Sequence, residues 1–138
     1  MGSLRAVCAL SAALWLVGCD YDGRKIDGQY RLEAIDTEEQ SQVTYNLGNG
    51  SSIGRVPETV FAVGWDKNYI VAARHPHTFA EAQADRTKTE YFYIIRASDG
   101  PYVDPSVTVR GPFDAATFQV ERRRLNLPPF RREIASLK

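Results

Sequence analysis

The chain has 138 residues, 43% of them hydrophobic, with 17 basic and 17 acidic side chains that balance to zero net charge. That length supports one modest core and not two, and the ordinary composition excludes a disordered body. A balanced charge excludes the basic footprint of a nucleic-acid binder, so no nucleic acid is expected as a partner.

The amino terminus reads as an export signal. Met1 to Arg5 is a short basic start, and Ala6 to Val17 is uncharged and apolar apart from Ser11. Twelve helical residues reach about 18 Å, against a hydrocarbon core of about 30 Å, so the stretch is too short to remain as a membrane span. It ends in Leu16-Val17-Gly18-Cys19, which resembles the lipobox of bacterial lipoproteins. Small residues there let a peptidase approach, and the thiol is nucleophilic enough to accept a diacylglycerol. The expectation is that residues 1–18 are removed and Cys19 becomes an acylated first residue. Cys8 leaves with the leader, so no internal disulfide is available. Arg5 is the leader's one charged residue, and its loss takes the chain to a formal charge of −1. Asp20 resembles the signal that retains enteric lipoproteins at the inner membrane, and residues 19–27 are expected to form the acylated start and its tether.

The body is read as residues 28–128. Alternation from Gln29 to Asp36 and from Gln42 to Leu47 predicts strands with one wet face, joined through the polar stretch 37–41. Residues 47–54 read as a turn around Asn49-Gly50. A phosphate-cradling loop is the other reading, but Val56-Pro57 follows where a helix would be needed. Val60 to Trp65 and Tyr69 to Arg74 predict a buried hairpin whose turn, 66–68, contains a left-handed position; Gly64 points to a bulge or a close backbone approach. Tyr91 to Ala97 is a strand, with a shorter one expected at Val107 to Arg110. The stretch 78–88 opens with a Thr78-x-x-Glu81 capping box but has a thin apolar face, and reads as a marginal helix or a loop.

The one clear helix follows Gly111-Pro112-Phe113. Asp114 suits its N-cap, Phe113 and Phe118 take the spacing of a hydrophobic staple, and Asn126 with Pro128-Pro129 ends it. Ala115, Phe118, Arg122 and Leu125 share a face, along which the arginine can lay its stem. Residues 129–138 read as a polar tail. The fold class that follows is α+β: an antiparallel sheet of five or six strands with one late helix packed on it.

The order Trp65-Asp66-x-x-Tyr69-Ile70, then Tyr91-Phe92-Tyr93-Ile94, then Gly111-Pro112-Phe113 leading to Phe118 and Leu125, resembles an uncharacterised family of small bacterial lipoproteins. The resemblance covers residues 28–128. It implies a membrane-anchored extracytoplasmic domain and carries no catalytic residue across.

Candidate chemistry is sparse. His75-Pro76-His77 is the one histidine pair and the candidate for zinc or copper, although a catalytic zinc site takes three protein ligands; a loop closing the hairpin is the default reading. Asp66, Asp99, Asp104 and Asp114 sit at turns and caps, where carboxylates bond local backbone, with a hydrolytic carboxylate pair as the alternative. No serine stands in a nucleophile-elbow context, and the retained cysteine is consumed by acylation. Neither a catalytic residue nor a cofactor is therefore expected. The binding-surface candidates are Tyr69, Tyr91 and Tyr93, if they line an exposed sheet face, together with Arg122 and Arg123 on the helix. Residues 19–60 hold eight acids against four bases, while residues 110–138 hold seven bases against three acids. Acidic strands packed near the basic tail would account for this; a basic face toward anionic lipid, including Arg131 and Arg132, is the alternative. The functional expectation is a lipid-anchored, non-enzymatic protein-binding module of inhibitor or immunity type in the cell envelope, facing periplasm or exterior. Its partners would be the membrane, through acyl chains on Cys19, and an envelope protein. A structural envelope component, and a small metalloprotein or hydrolase built on His75 and His77, are the other readings.

Overall fold

The computed structural model describes residues 24–77 and 83–138. The leader, the Leu16–Cys19 motif, Asp20 and the Thr78–Glu81 capping box lie outside the described residues. Strands β1 (Arg24–Asp27), β2 (Tyr30–Glu33), β3 (Gln42–Gly48) and β4 (Ser51–Val56) form one antiparallel sheet in chain order. Strands β5 (Val60–Trp65), β6 (Tyr69–Arg74), β7 (Glu90–Ile95), β8 (Val109–Phe113) and β9 (Arg132–Glu133) form a second, in the order β8-β7-β6-β5-β9. A four-residue helix α1 (Pro105–Thr108) precedes β8, and α2 (Ala115–Leu125) follows it. The α+β class and the antiparallel pairing agree with the alternation of the sequence. The strands nevertheless divide between two sheets of four and five, where the pattern pointed to one sheet of five or six.

Three strands lie where the sequence shows no alternation. Arg24–Asp27, expected as tether, pairs with β2 through Arg24↔Leu32 and buries Ile26. The turn expected over 47–54 contracts to Asn49-Gly50, both at positive φ, with the Asn46 side-chain oxygen accepting from Gly48 N at 2.6 Å. Ser51–Val56 continues as strand, because its polar residues face water while Arg55 and Val56 turn inward. The polar tail expected over 129–138 is also part of the fold. β9 pairs with β5, Arg131 N and Ile134 N donate to Val63 and Phe61 carbonyls at 2.9 and 2.7 Å, and Ile134 and Leu137 are buried. Gly64 makes this possible: a Cβ there would overlap the Pro129 carbonyl, which is the close approach expected from the sequence.

The inner strands β5, β6 and β7 of the second sheet are buried on both faces, which explains the unbroken apolar runs of β5 and β6. Ile70, Ala72, Phe92 and Ile94 face Leu32, Val43 and Val56 of the first sheet in one core. Val71 and Tyr93, on the opposite face, lie under Phe118 and Leu127. The β5–β6 turn closes without a left-handed residue; Asp66 Oδ1 instead accepts from Asn68 N and Tyr69 N, each at 2.8 Å.

A polar seam crosses the core between the sheets. Arg55 on β4 and Asp99 in the turn after β7 form an ion pair at 3.0 Å, with neither side chain exposed. Asp99 also accepts from the Tyr30 hydroxyl at 2.8 Å and from Gly100 N at 2.9 Å, while Arg55 Nη2 donates to the Gly100 carbonyl at 2.8 Å. Burial and the Asp99 carboxylate push the Tyr30 phenol well above its usual range. Among the described residues, no base of 110–138 ion-pairs with an acid of the first sheet. Arg124 and Lys138 pair with Glu121 and Glu133 of their own segment, so the expected complementarity between acidic strands and basic tail is not made by ion pairs.

Two substitutions test this architecture. Asp99→Ala strands a buried guanidinium and should cost about 3–5 kcal/mol in urea unfolding; Arg55→Met with Asp99→Leu should cost clearly less than the two single changes added together. Gly64→Ala should destabilise by about 1–3 kcal/mol, and amide exchange should rise first along residues 129–137.

Candidate functional site

Four places on the domain carry side chains that local structure aims with purpose. The first is the tyrosine face of β6 and β7. The pattern leaves one face of these strands for Tyr69, Tyr91 and Tyr93, and helix α2 covers it. Asp114 caps that helix by accepting from Thr117 N at 2.7 Å, and Asn126 ends it at φ 52°. Phe118, fully buried, stacks on Tyr91 with ring centres 4.9 Å apart, and Phe113 stacks on Tyr93 at 5.8 Å. Tyr93 is 4% exposed and its hydroxyl donates to Glu121 at 2.9 Å. Burial, and then the neighbouring Glu121 carboxylate, raise the Tyr93 phenol. Tyr93 belongs to a second core, and the half-buried Tyr69 and Tyr91 pack against it, so the face is not the open one the alternation suggested. The helix needs an apolar floor, and this face is the one the first sheet leaves free.

On α2 the two arginines separate. Arg122 lies over the Phe118 and Phe130 rings at 5.2 and 5.4 Å, with Nε and Nη2 buried and without a hydrogen-bond partner. Arg123 is exposed. Arg124 holds Glu121 below the usual carboxylate range through hydrogen bonds, with Tyr93 adding to it.

The second place is the histidine pair. His75 is 4% exposed, stacks on Phe61 at 4.4 Å, and sets Nδ1 2.7 Å from the Lys88 carbonyl. The carbonyl can only accept, so Nδ1 donates to it, and Nε2 has no hydrogen-bond partner. The ring borders a recess of about 300 Å³ with Tyr91, Phe130, Glu133 and Lys138. Its hydrogen bond ties the loop before β7 to the end of β6, the loop-closing role expected from the sequence. His77 is half-buried nearby, and no cluster of three metal-ligating side chains exists among the described residues. The turn carboxylates Asp66 and Asp104 bond backbone as expected, Asp104 accepting from Ser106 N at 2.8 Å, whereas Asp99 takes one backbone N–H and is held chiefly by the Arg55 and Tyr30 side chains.

The other two places were not legible as sites in the sequence. At the tips of the β1–β2 and β3–β4 hairpins, a shallow recess of about 290 Å³ is lined by Gln29, Tyr45, Asn46, Leu47 and Pro101. Beside it Tyr102 stands 96% exposed, and Val107 on α1 is 55% exposed. Along the β1–β9 flank, Trp65 lies 5.6 and 5.5 Å from the guanidinium carbons of Arg131 and Arg132, and Arg132 Nη1 donates to the Lys25 carbonyl at 2.9 Å.

The fold and these surfaces define a small α+β domain whose exposed chemistry is aromatic at one end and cationic along one flank. Residues 27–130 match the family described as protein of unknown function (DUF3997), and the chain belongs to that family. No curated protein and no solved structure matches it.

Phe118→Ala should cost about 3–5 kcal/mol, because it opens a cavity under α2 where Tyr91 stacks. Asp27, Asp114 and Glu121 are each held below their ordinary values, chiefly by a hydrogen bond from Arg96, by backbone N–H of Thr117 and by a hydrogen bond from Arg124, respectively. A depressed folded pKa stabilises above the unfolded value and loses that contribution as pH falls through the folded one. The urea midpoint should therefore hold from pH 7 to about 5 and fall below about pH 4.

Proposed function

We propose that the protein is a bacterial lipoprotein held at a membrane surface by acyl chains on Cys19, and that its domain engages another envelope protein without catalysis, as an inhibitor or immunity-type module would. The observation that carries the anchor is the Leu16-Val17-Gly18-Cys19 sequence behind a twelve-residue apolar stretch. Each buried CH₂ contributes about 0.8 kcal/mol, so one acyl chain binds marginally and two or three on one residue hold firmly. Asp20 favours retention at the inner membrane.

The surface around Tyr102 supports the binding half of the reading. A tyrosine this exposed contributes nothing to the fold, while its ring and hydroxyl suit a partner pocket. Leu47, itself exposed, lines the recess beside Pro101, which offers relief for a partner side chain. The chain enters β1 at Arg24, level with Leu32 and Val43 across the sheet. The β3–β4 tip at Gly48 lies five residues further along the strand than Val43, about 17 Å on. The Tyr102 end is thus displaced from the anchor and open to an approaching partner.

Cys19→Ser should shift the protein from the membrane fraction to the soluble fraction; an unchanged distribution would contradict the anchor. A photo-crosslinking residue at Tyr102 should give a discrete adduct in living cells, whereas the same probe at Arg123 should not. No adduct at Tyr102 would contradict that surface.

A further inference from the structure

We propose that the flank formed by Arg24, Lys25, Arg131, Arg132 and Trp65 lies against anionic lipid headgroups of the bilayer that carries the acylated Cys19, so that the domain sits on the membrane in one orientation. The inference rests on the anchor reading and goes beyond it, because an anchor alone leaves the domain free to tumble.

Two parts of the chain far apart in sequence meet on this flank. β1 begins at Arg24, and the Arg132 guanidinium reaches the Lys25 carbonyl across from β9. Arg131 N bonds the Val63 carbonyl at 2.9 Å and Val63 is in register with Arg132, which sets both arginines beside Trp65 two residues on. Among the described residues, Arg24, Lys25, Arg131 and Arg132 make no ion pair. The acids of the elements packed here are occupied elsewhere. Asp27 pairs with Arg96 at 2.7 Å, Asp66 accepts from two backbone N–H groups, and Glu133 pairs with Lys138 at 3.0 Å. Asp20 and Asp22, between the anchor and β1, halve the positive excess without cancelling it, and Lys67 in the adjacent turn offsets the charge of Asp66 beside it. On a processed chain of formal charge −1, this is charge sorted to one side.

The tether joins the domain on this flank, at Arg24. Four residues lie between Cys19 and Arg24, five chain steps that reach at most about 18 Å. Cations within a Debye length of about 8 Å from an anionic surface are drawn to it. A half-buried tryptophan among guanidinium groups has the amphipathic character that settles at headgroup depth.

Trp65 reports on its own position, since Trp15 leaves with the leader and no other tryptophan remains. The acylated protein, extracted from its membrane, is reconstituted into vesicles of phosphatidylcholine alone or with 30% phosphatidylglycerol, each with and without brominated lipid. In anionic vesicles Trp65 emission should shift to the blue and be quenched at least two-fold more than in zwitterionic ones. About 0.5 M salt should abolish the difference. Arg131→Gln with Arg132→Gln should remove it while the protein stays vesicle-bound, and Arg131→Lys with Arg132→Lys should restore it, which separates charge from a folding defect. Vesicle-bound protein whose Trp65 emission is the same in both lipids overturns the proposal and leaves the anchor standing. Emission that changes only when envelope protein is added assigns the flank to a protein partner and overturns it too. Failure to associate with either vesicle, with no acyl mass on Cys19, removes the anchor and the proposal together.

Discussion

Arg55 and Asp99 meet where water reaches neither side chain, and the placement of the two sheets depends on that contact. Moving either charge out of water costs several kcal/mol, which their attraction offsets only because nearly every remaining bonding position is filled. The Tyr30 hydroxyl, Gly100 N and the Gly100 carbonyl fill them, drawing β2, β4 and the turn after β7 to one point. The pair therefore selects one docking of the sheets more than it adds stability. From it the polar seam continues outward. Arg96 lies over the Tyr30 ring, pairs with Asp27 and donates to the Asp66 carbonyl. The seam thereby fixes β1, where the chain enters, against the turn that follows Trp65.

That arrangement gives the small domain two unlike surfaces. The cationic flank runs along β1 and β9, where the chain enters. The other end, with Leu47 and the recess beside Pro101 and Tyr102, lies at hairpin tips further along the strands. The large aromatic supply lies mostly elsewhere: Tyr91, Tyr93, Phe113, Phe118 and Phe130 pack together around α2.

The sequence was informative wherever local physics decides structure. The β5–β6 hairpin, the Asp114 cap and the Asn126 stop follow from short-range rules, and so does the bonding of Asp66, Asp104 and Asp114 to nearby backbone. What escaped it depends on partners distant in the chain. Arg24–Asp27 and Arg132–Glu133 are polar and short, and they are strands only because β2 and β5 offer free edges. Tyr91 and Tyr93 alternate cleanly, yet alternation cannot say whether the second face meets water or a helix. Arg55 and Asp99 are 44 residues apart, and nothing local marks either as buried. Tyr102 looks like any turn residue until its exposure is known. The Leu16–Cys19 motif, the richest single signal in the chain, concerns residues outside the described fold.

The intact mass of the protein taken from its native membrane, with fragmentation of its amino-terminal peptide, addresses most directly the claim that Cys19 anchors this domain. The account predicts a chain that begins at Cys19 and carries a diacylglycerol on its sulfur. A peptide with a free thiol at Cys19, or with residues 1–18 still attached, would contradict it.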